Sequence, residues 1–257
     1  MLTSILAPNP SVMTLTGTRT YVLGQRTVVI IDPGSAERSH LEAIVRAAGA
    51  ARISCILLTH RHPDHESGAD PLAEQLGAPV RAIGVGTLMD GDVLDTDAGA
   101  LVTIHAPGHT PDHAVFHWPD GDAVFCGDLM MGGLDTALVA APEGDLRAYL
   151  ASLERVRALG VRTIHPAHGP SLEDAGAAID AYVRHRADRL NQVQRVLETG
   201  PANAERIAAA VYGGTIPLEL RSVAVGAVRA YLEYLAAEGI AEAREDRWTH
   251  RAPSIQD

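Results

Sequence analysis

The sequence predicts an α/β protein in which two β-sheets lie between layers of helices. Strand patterns come first and then alternate with helical patterns up to residue 165, an order that suits a layered α/β domain. After Gly169 and Pro170 the pattern becomes mainly helical, so a second, smaller domain is expected. Hydrophobic residues make up 46% of the 257 residues, enough for a sizeable core.

Short apolar runs separated by turn residues predict the strands of both sheets. Residues 21–23 and 27–31 are predicted as two strands joined by a glycine-containing turn. The continuous apolar run at residues 53–58 is typical of a strand buried on both faces. Further strands are expected at residues 79–82, 93–94, 101–105, 114–118, 123–126 and 162–165.

Apolar residues at helical spacing predict the helices between and after these strands. Residues 36–48 place Leu41, Ile44 and Val45 on one face of the first helix. The other helices are expected at residues 69–76, 145–159, 172–197, 204–212 and 218–238, followed by a β-hairpin at 240–250. Because three helices followed by a hairpin resemble a winged-helix module, we divide the chain into domains at residues 1–172 and 173–257.

The composition argues against several classes of protein. A net charge of -11 gives no general attraction to nucleic acid or to a membrane surface. No apolar run approaches the roughly 18–20 residues that span a bilayer, and residues 1–8 do not resemble a signal peptide. We therefore expect a cytoplasmic protein without membrane contact, in which Cys55 and Cys126 are buried, reduced thiols.

The segment that carries the chemistry follows the apolar run at residues 53–58. It places His60, His62, Asp64 and His65 close together, in a loop that can fold around a cation. Imidazole nitrogens and carboxylate oxygens suit Zn²⁺ and related divalent metals. Three later segments add donors, each in a predicted turn beside a glycine that lets the backbone pass close to the site: His109, Asp128 and His168.

This set of donors resembles the ligand pattern of the metallo-β-lactamase superfamily, with every metal position filled. The resemblance implies an αββα sandwich that binds two divalent metal ions, for which Zn²⁺ is the first choice. It implies that the first metal is held by His60, His62 and His109, that the second is held by Asp64, His65 and His168, and that Asp128 bridges both.

The implied reaction is hydrolysis by a metal-bridging hydroxide, which two adjacent cations produce near neutral pH. Asp64 and Asp128 are the candidate catalytic residues, because Asp64 would orient the hydroxide and Asp128 would fix the metal pair. Asp32 resembles a position that supports the histidine loop, and His113 lies in the matching Gly-His-Thr-x-x-His stretch. Both are candidates for holding the ligands in place, with a strand-end cap and a purely structural role as their respective alternatives.

The donor set also separates subclasses of the superfamily. True β-lactamases lack the bridging aspartate, and flavodiiron proteins carry Glu where this chain has His62, so both are disfavoured. Glyoxalase-II-like thioesterases, long-form transfer-RNA-processing nucleases and persulfide dioxygenases share the full set. The dioxygenases differ in using iron in one of the two sites.

Over nearly the whole chain the sequence is similar to the β-lactamase-like protein 2 family, which adds a C-terminal winged helix. The matching stretches are residues 17–21, 136–145, 149–153 and 168–170. Arg19 stands where the family usually has Asn, a change expected at the rim of the site. Residues 165–168 read His-Pro-Ala-His in place of Tyr-Pro-Gly-His, a change expected to affect packing.

The family includes polyketide thioesterases and single-strand RNA endonucleases, so the resemblance leaves the substrate open. We expect a dinuclear zinc hydrolase acting on a thioester or small carboxyl ester, given the ligand set and the acidic, lysine-free surface. The alternative is an endonuclease for single-stranded RNA, which the winged helix would favour. A nucleic-acid-binding module with a vestigial fold is opposed by the intact ligand set. A homo-oligomer is left open.

Overall fold

The structure is a computed structural model that describes residues 1–133, 137–213 and 217–251. The chain forms two compact units, each assembled from several segments. The first unit consists of Met1–Pro107, Asp112–Ala137 and Ser152–Ile179, and the second of Gly108–Pro111, Leu138–Ala151 and Asp180–Asp257. The boundary expected between residues 172 and 173 remains a prediction.

The first sheet lies in the first unit and mixes antiparallel with parallel strands. In spatial order it contains β1 (Leu2–Leu6), β2 (Arg19–Leu23), β3 (Thr27–Ile31), β4 (Arg52–Leu57) and β5 (Val80–Arg81). The β3–β4 and β4–β5 pairs are parallel, and the other two pairs are antiparallel. The sequence does not predict β1, because this edge strand is half-buried or exposed and lacks a continuous apolar run.

The second sheet also lies in the first unit. In spatial order it contains β10 (Thr163–Pro166), β9 (Ala123–Gly127), β8 (Ala114–Trp118), β7 (Gly99–His105) and β6 (Val93–Thr96). Only the β9–β10 pair is parallel. All the strands expected between residues 21 and 165 are present, with ends displaced by at most two residues.

Every expected helix is present, with ends displaced by at most three residues, and the described part of the chain has one short additional helix where a loop was expected. The helices in the described residues are α1 (Arg38–Ala48), α2 (Pro63–Glu66), α3 (Ala69–Leu76), α4 (Leu146–Arg157), α5 (Ala175–Glu198), α6 (Ala204–Tyr212) and α7 (Arg221–Ala237). The helix expected at residues 218–238 begins instead with a 3₁₀ turn at Leu218–Leu220, a common way to start a helix. None of these helices is both long and apolar enough to cross a membrane.

Two buried apolar clusters show how the first sheet is packed. Tyr21, Ile31 and Leu57 on one face join Phe116 and Phe125 of the second sheet in a single core. On the opposite face, side chains of β2, β3 and β4 pack against those of α1 and α3. This alternation of burial gives β3 and β4 two apolar faces, as the continuous apolar run in β4 predicts.

The expected C-terminal hairpin is present in the second unit as β11 (Ala241–Arg244) and β12 (Arg247–His250). The interpretation of this part as a winged helix remains a prediction. Thr136, the first residue of the matching stretch at 136–145, lies outside the described residues.

Candidate metal centre

Strand ends bring most of the candidate ligands together in the first unit. Asp32 follows β3. The histidine motif, residues 60–65, follows β4, which is parallel to β3. Asp128 follows β9, and His168 comes two residues after the end of β10, which is parallel to β9. Because parallel strands end at the same edge of a sheet, each pair places its donors side by side.

His60 and His62 present two ring nitrogens to one point. The Nε2 of His60 lies 2.9 Å from the Nδ1 of His62. Thr59 Oγ1 lies 3.1 Å from the other nitrogen of His60 and donates its own hydrogen to Asp32 at 2.7 Å, so it accepts the hydrogen of His60 Nδ1. This leaves the lone pair of His60 on Nε2, facing His62.

A second group of donors surrounds another point. His168 Nε2 lies 3.3 Å from Asp64 Oδ2 and 3.3 Å from Asp128 Oδ1. His65 Nε2 lies 3.4 Å from Asp128 Oδ1 and 3.7 Å from Asp64 Oδ2. Within the part of the chain that the structure describes, neither Nε2 makes a hydrogen bond, although both are buried.

These separations fit ligands of a divalent cation. Two donors at about 2.0–2.1 Å from a tetrahedral ion lie about 3.3–3.4 Å apart, whereas a charge-assisted N–H···O bond is about 2.7–2.9 Å long. The 3.3–3.4 Å distances around Asp128 and His168 match the first case. The donor atoms of Asp64, His65 and His168, and those of His60, His65 and Asp128, form two compact groups that could each hold an ion.

Asp32 holds the histidine motif in place through hydrogen bonds to Thr59 and His65. Its carboxylate is 2% exposed and accepts the Thr59 N–H at 2.7 Å and the Thr59 hydroxyl at 2.7 Å. It also accepts the Nδ1–H of His65 at 2.9 Å, which leaves the lone pair of His65 on Nε2. Asp32 therefore sets both the ring orientation and the tautomer of a candidate ligand, as the layer around a metal site commonly does.

His113 and Gly127 fix the position of Asp128. The backbone N–H of Asp128 donates to Nε2 of His113 at 3.1 Å. Gly127 has a φ of +51°, and a Cβ there would lie 2.5 Å from Thr59 Oγ1, so only glycine allows β9 to pass this close to the histidine motif. Both features hold the candidate bridging carboxylate against the motif.

The loop that carries His168 is held by residues 17–19. The Nδ1 of His168 lies 3.3 Å from the carbonyl oxygen of Gly17, which can only accept. Arg19 donates its backbone N–H to Ala167 at 2.7 Å and its Nε–H to Gly169 at 2.6 Å. The departure from the family pattern at Arg19 thus places a guanidinium group against the His168 loop.

His109 lies in the second unit, in the turn Gly108–Pro111. Its Nδ1 is 2.7 Å from the carbonyl oxygen of Leu138, which also belongs to the second unit, so Nδ1 carries the hydrogen. The ring is 6% exposed. In the neutral form of each ring, the partners of Nδ1 therefore favour the same tautomer for His60, His65, His109 and His168, in which Nε2 carries the lone pair.

The charges of the site favour a positive ion. Burial lowers the pKa of His65, but the carboxylates of Asp128 and Asp32 outweigh it and raise that pKa well above its usual value. Burial raises the pKa of Asp64, but the neighbouring His168 and His65 outweigh it and lower that pKa below its usual value. Both pKa shifts mean that the carboxylates of the site stabilise positive charge close to them.

Comparison with known proteins identifies the family. A profile described as the metallo-β-lactamase superfamily matches residues 13–93 and 83–168, which include every candidate ligand. The chain belongs to the metallo-β-lactamase superfamily. A crystal structure of a metallo-β-lactamase family protein from Thermus thermophilus has a TM-score of 0.81 and covers 97% of this chain and 98% of its own. At 23% identity, that structure supports the fold alone.

Two relatives place the chain within the superfamily. The β-lactamase-like protein 2 homolog of Caenorhabditis elegans is 29% identical over 259 residues, which cover 94% of this chain and 86% of the relative. The atrochrysone carboxyl ACP thioesterase of Aspergillus fumigatus is 31% identical over 208 residues, which cover 76% of this chain. That match spans 64% of the length of the fungal protein.

Sequence reasoning named Asp32 but missed the other acceptors that orient the rings. Thr59 could have been found, because it directly precedes His60 and its hydroxyl can relay a hydrogen bond. The carbonyl groups of Gly17 and Leu138 carry no signal in the sequence, since every residue has one.

Proposed function

We propose that this member of the metallo-β-lactamase superfamily is a dinuclear metal hydrolase that acts on a thioester or a small carboxyl ester. The observation that carries the proposal is the separation of 3.3–3.4 Å between donor atoms around Asp128 and His168, which suits coordination better than direct hydrogen bonding. We assign the first metal to His60, His62 and His109, the second to Asp64, His65 and His168, and the bridging position to Asp128.

Two bound divalent cations would lower the pKa of water and polarise a substrate carbonyl. The chain contributes the geometry. Thr59 and Asp32 keep hydrogens on the Nδ1 atoms of His60 and His65, which leaves each Nε2 as a ligand. His113 accepts the backbone N–H of Asp128 and so keeps that carboxylate between the two groups of donors. Because these supports are already in place, metal binding requires little rearrangement.

The cysteines offer no competing route through a covalent acyl-enzyme. Cys55 and Cys126 are both buried and free of disulfides. Burial raises the pKa of Cys55 to about 11 and raises that of Cys126 as well, so neither is a thiolate near neutral pH. Hydrolysis by activated water therefore suits this chain better than nucleophilic catalysis by a thiol.

Support for a thioester substrate comes from the fungal relative that is named an ACP thioesterase. Cleavage of single-stranded RNA, which the family resemblance in the sequence left open, stays the competing hypothesis. The net charge of -11 opposes a long nucleic-acid partner, because phosphate binding depends on clustered cations.

A parallel assay of both substrate classes tests the proposal. Zinc-loaded protein is given acyl thioesters of N-acetylcysteamine and of an acyl carrier protein, and separately an unstructured single-stranded RNA. We expect thioester hydrolysis, and we expect Asp128→Asn to lower it by at least about 10²-fold while the fold is retained. Asp95→Asn, the same chemical change on the exposed face of β6, should leave the rate at the parent level.

Two results would contradict the proposal. Cleavage of RNA without thioester turnover would favour the nuclease. Full activity of Asp128→Asn with both metals bound would show that the proposed bridge is wrong. Circular dichroism of each variant separates loss of the site from loss of the fold.

A further inference from the structure

Unlike the other proposed ligands, His109 lies in the second unit. Its position therefore depends on the helices of that unit, and the following inference rests on the proposed function because it concerns His109 as a metal ligand. The ring is held by Leu138, but the backbone of the turn Gly108–Pro111 needs its own support.

That support is the beginning of α4. A Cβ added at Gly108 would lie 2.3 Å from both the N and the Cα of Tyr149, so the turn packs directly on the helix backbone. Gly108 also has a φ of +133°, which side-chain-bearing residues rarely adopt. The carbonyl oxygen of Gly108 accepts the N–H of Asp145 at 3.0 Å, and Asp145 in turn accepts the N–H of Tyr149. A displacement of Tyr149 would therefore move the turn.

Arg186 of α5 holds Tyr149 in place. The ring of Tyr149 is fully buried, and the guanidinium carbon of Arg186 lies 4.9 Å from its centroid. Arg186 is itself only 5% exposed, and its Nη1 donates to the hydroxyl of Tyr231 on α7 at 3.3 Å. A buried guanidinium keeps its charge and is costly to move away from groups that stabilise it. Arg186 therefore ties α4, α5 and α7 together behind the turn.

We propose that Arg186 is a positioning residue for the metal ligand His109. It holds the ring of Tyr149, Tyr149 holds the backbone of Gly108, and the turn then presents Nε2 of His109. On this view the second unit's part of α5 and its helix α7 support the turn that carries His109.

The test uses the full-length chain and a matched control on the same helix. Arg189 also lies over a tyrosine ring, with its guanidinium carbon 4.7 Å from the centroid of Tyr212, which ends α6, whereas Tyr149 lies on α4. In metal-free protein, we expect Arg186→Met to speed hydrogen exchange at the amide of Asp145 by about tenfold or more, since that amide donates to Gly108. Arg189→Met should leave this exchange at the parent rate.

Zinc titration of the same proteins gives the second measurement. We expect the affinity of one of the two sites to fall by about tenfold in Arg186→Met and to stay unchanged in Arg189→Met. Gly108→Ala, which forces the turn away from Tyr149, should reproduce both effects. If Arg186→Met does not fold, Arg186→Lys takes its place: it keeps a charge near the ring but loses the planar fork, so both effects should be present and smaller.

Equal exchange at Asp145 in the parent and Arg186→Met, or equal acceleration in both methionine variants, would overturn the inference. A parent that binds no zinc would refute the proposed function. Exchange in the metal-free protein would still decide whether Arg186 positions the turn.

Discussion

Asp32→Asn should impair binding of one metal by changing the tautomer of a single histidine. Oδ1 of Asp32 accepts the backbone N–H of Thr59, and Oδ2 accepts the Thr59 hydroxyl and the Nδ1–H of His65. Because the backbone N–H can only donate, the single oxygen of the amide should occupy the Oδ1 position. The NH₂ group then faces His65 and donates to Nδ1, so the hydrogen of His65 moves to Nε2. That atom can no longer bind a metal.

The magnitude follows from the contacts. Loss of a partner in the layer around a metal ligand typically lowers metal affinity by about 10–100-fold, and we expect this at the site with Asp64 and His168. The Thr59 hydroxyl can rotate to accept a hydrogen bond from the amide, so about one buried hydrogen-bonding group loses its partner. That loss should lower the free energy of unfolding by about 1–3 kcal/mol. For a chain of this size that lowers Tm by roughly 2–12 °C. Asn tolerates the left-handed φ of +49° at this position.

Competition between the metal-free protein and a chromophoric zinc chelator measures the affinities of both sites, and calorimetry measures Tm. Asp95→Asn serves as the control, because it makes the same carboxylate-to-amide change on an exposed strand. Nitrogen-15 NMR of the histidine rings reports the tautomer directly. A variant that binds two zinc ions as tightly as the parent, with His65 still protonated on Nδ1, would refute the reasoning.

Three further predictions concern metals, thiols and acid. Ions that bind only the folded state add about 2.7 kcal/mol to the free energy of unfolding when their free concentration is 100 times their Kd, so removing them with EDTA should lower Tm. Elemental analysis should find two divalent ions per chain, and one iron alone would favour a dioxygenase. Cys55 and Cys126 should resist a disulfide reagent at pH 8 until denaturant is added, because both are buried; rapid native labelling would contradict this. Backbone N–H groups, that of Gln25 foremost, lower the pKa of Asp97 to about 2. Its stabilising effect should be present above about pH 4 and disappear as the pH falls through about 2, so Asp97→Asn should flatten acid denaturation over this range.

The strands and helices were largely predictable because burial repeats with the period of each element. β4 has a continuous apolar run since both of its faces are covered, and α1 shows one apolar stripe since only one face is. β1 gave no such signal, because an edge strand needs no apolar face. The candidate ligands were predictable for another reason. A metal site needs particular side chains, and these follow strand ends in the order typical of the family.

The supports of the ligands were harder to predict, because orientation is set by contacts between residues far apart in the chain. Asp32 and His65 are 33 positions apart, and Arg19 and Gly169 are 150 apart. The family resemblance pointed to Asp32, but no local pattern shows which residue Asp32 or Arg19 contacts, since each residue alone suits an ordinary turn or strand end.

Arg186 shows that a signal can exist even for a distant support. The apolar stripe of α5 places Ile179, Tyr182, Val193 and Leu197 in the core, and Arg186 falls in the same helical register. An arginine at a core position either disrupts the helix face or has partners that stabilise its charge. The structure shows the second case, with one tyrosine ring beneath the guanidinium and a second tyrosine hydroxyl beside it. A charged residue within an apolar stripe is thus a sequence-level indication that the helix holds something in place. Here the contacts lead through Tyr149 to the turn that carries His109.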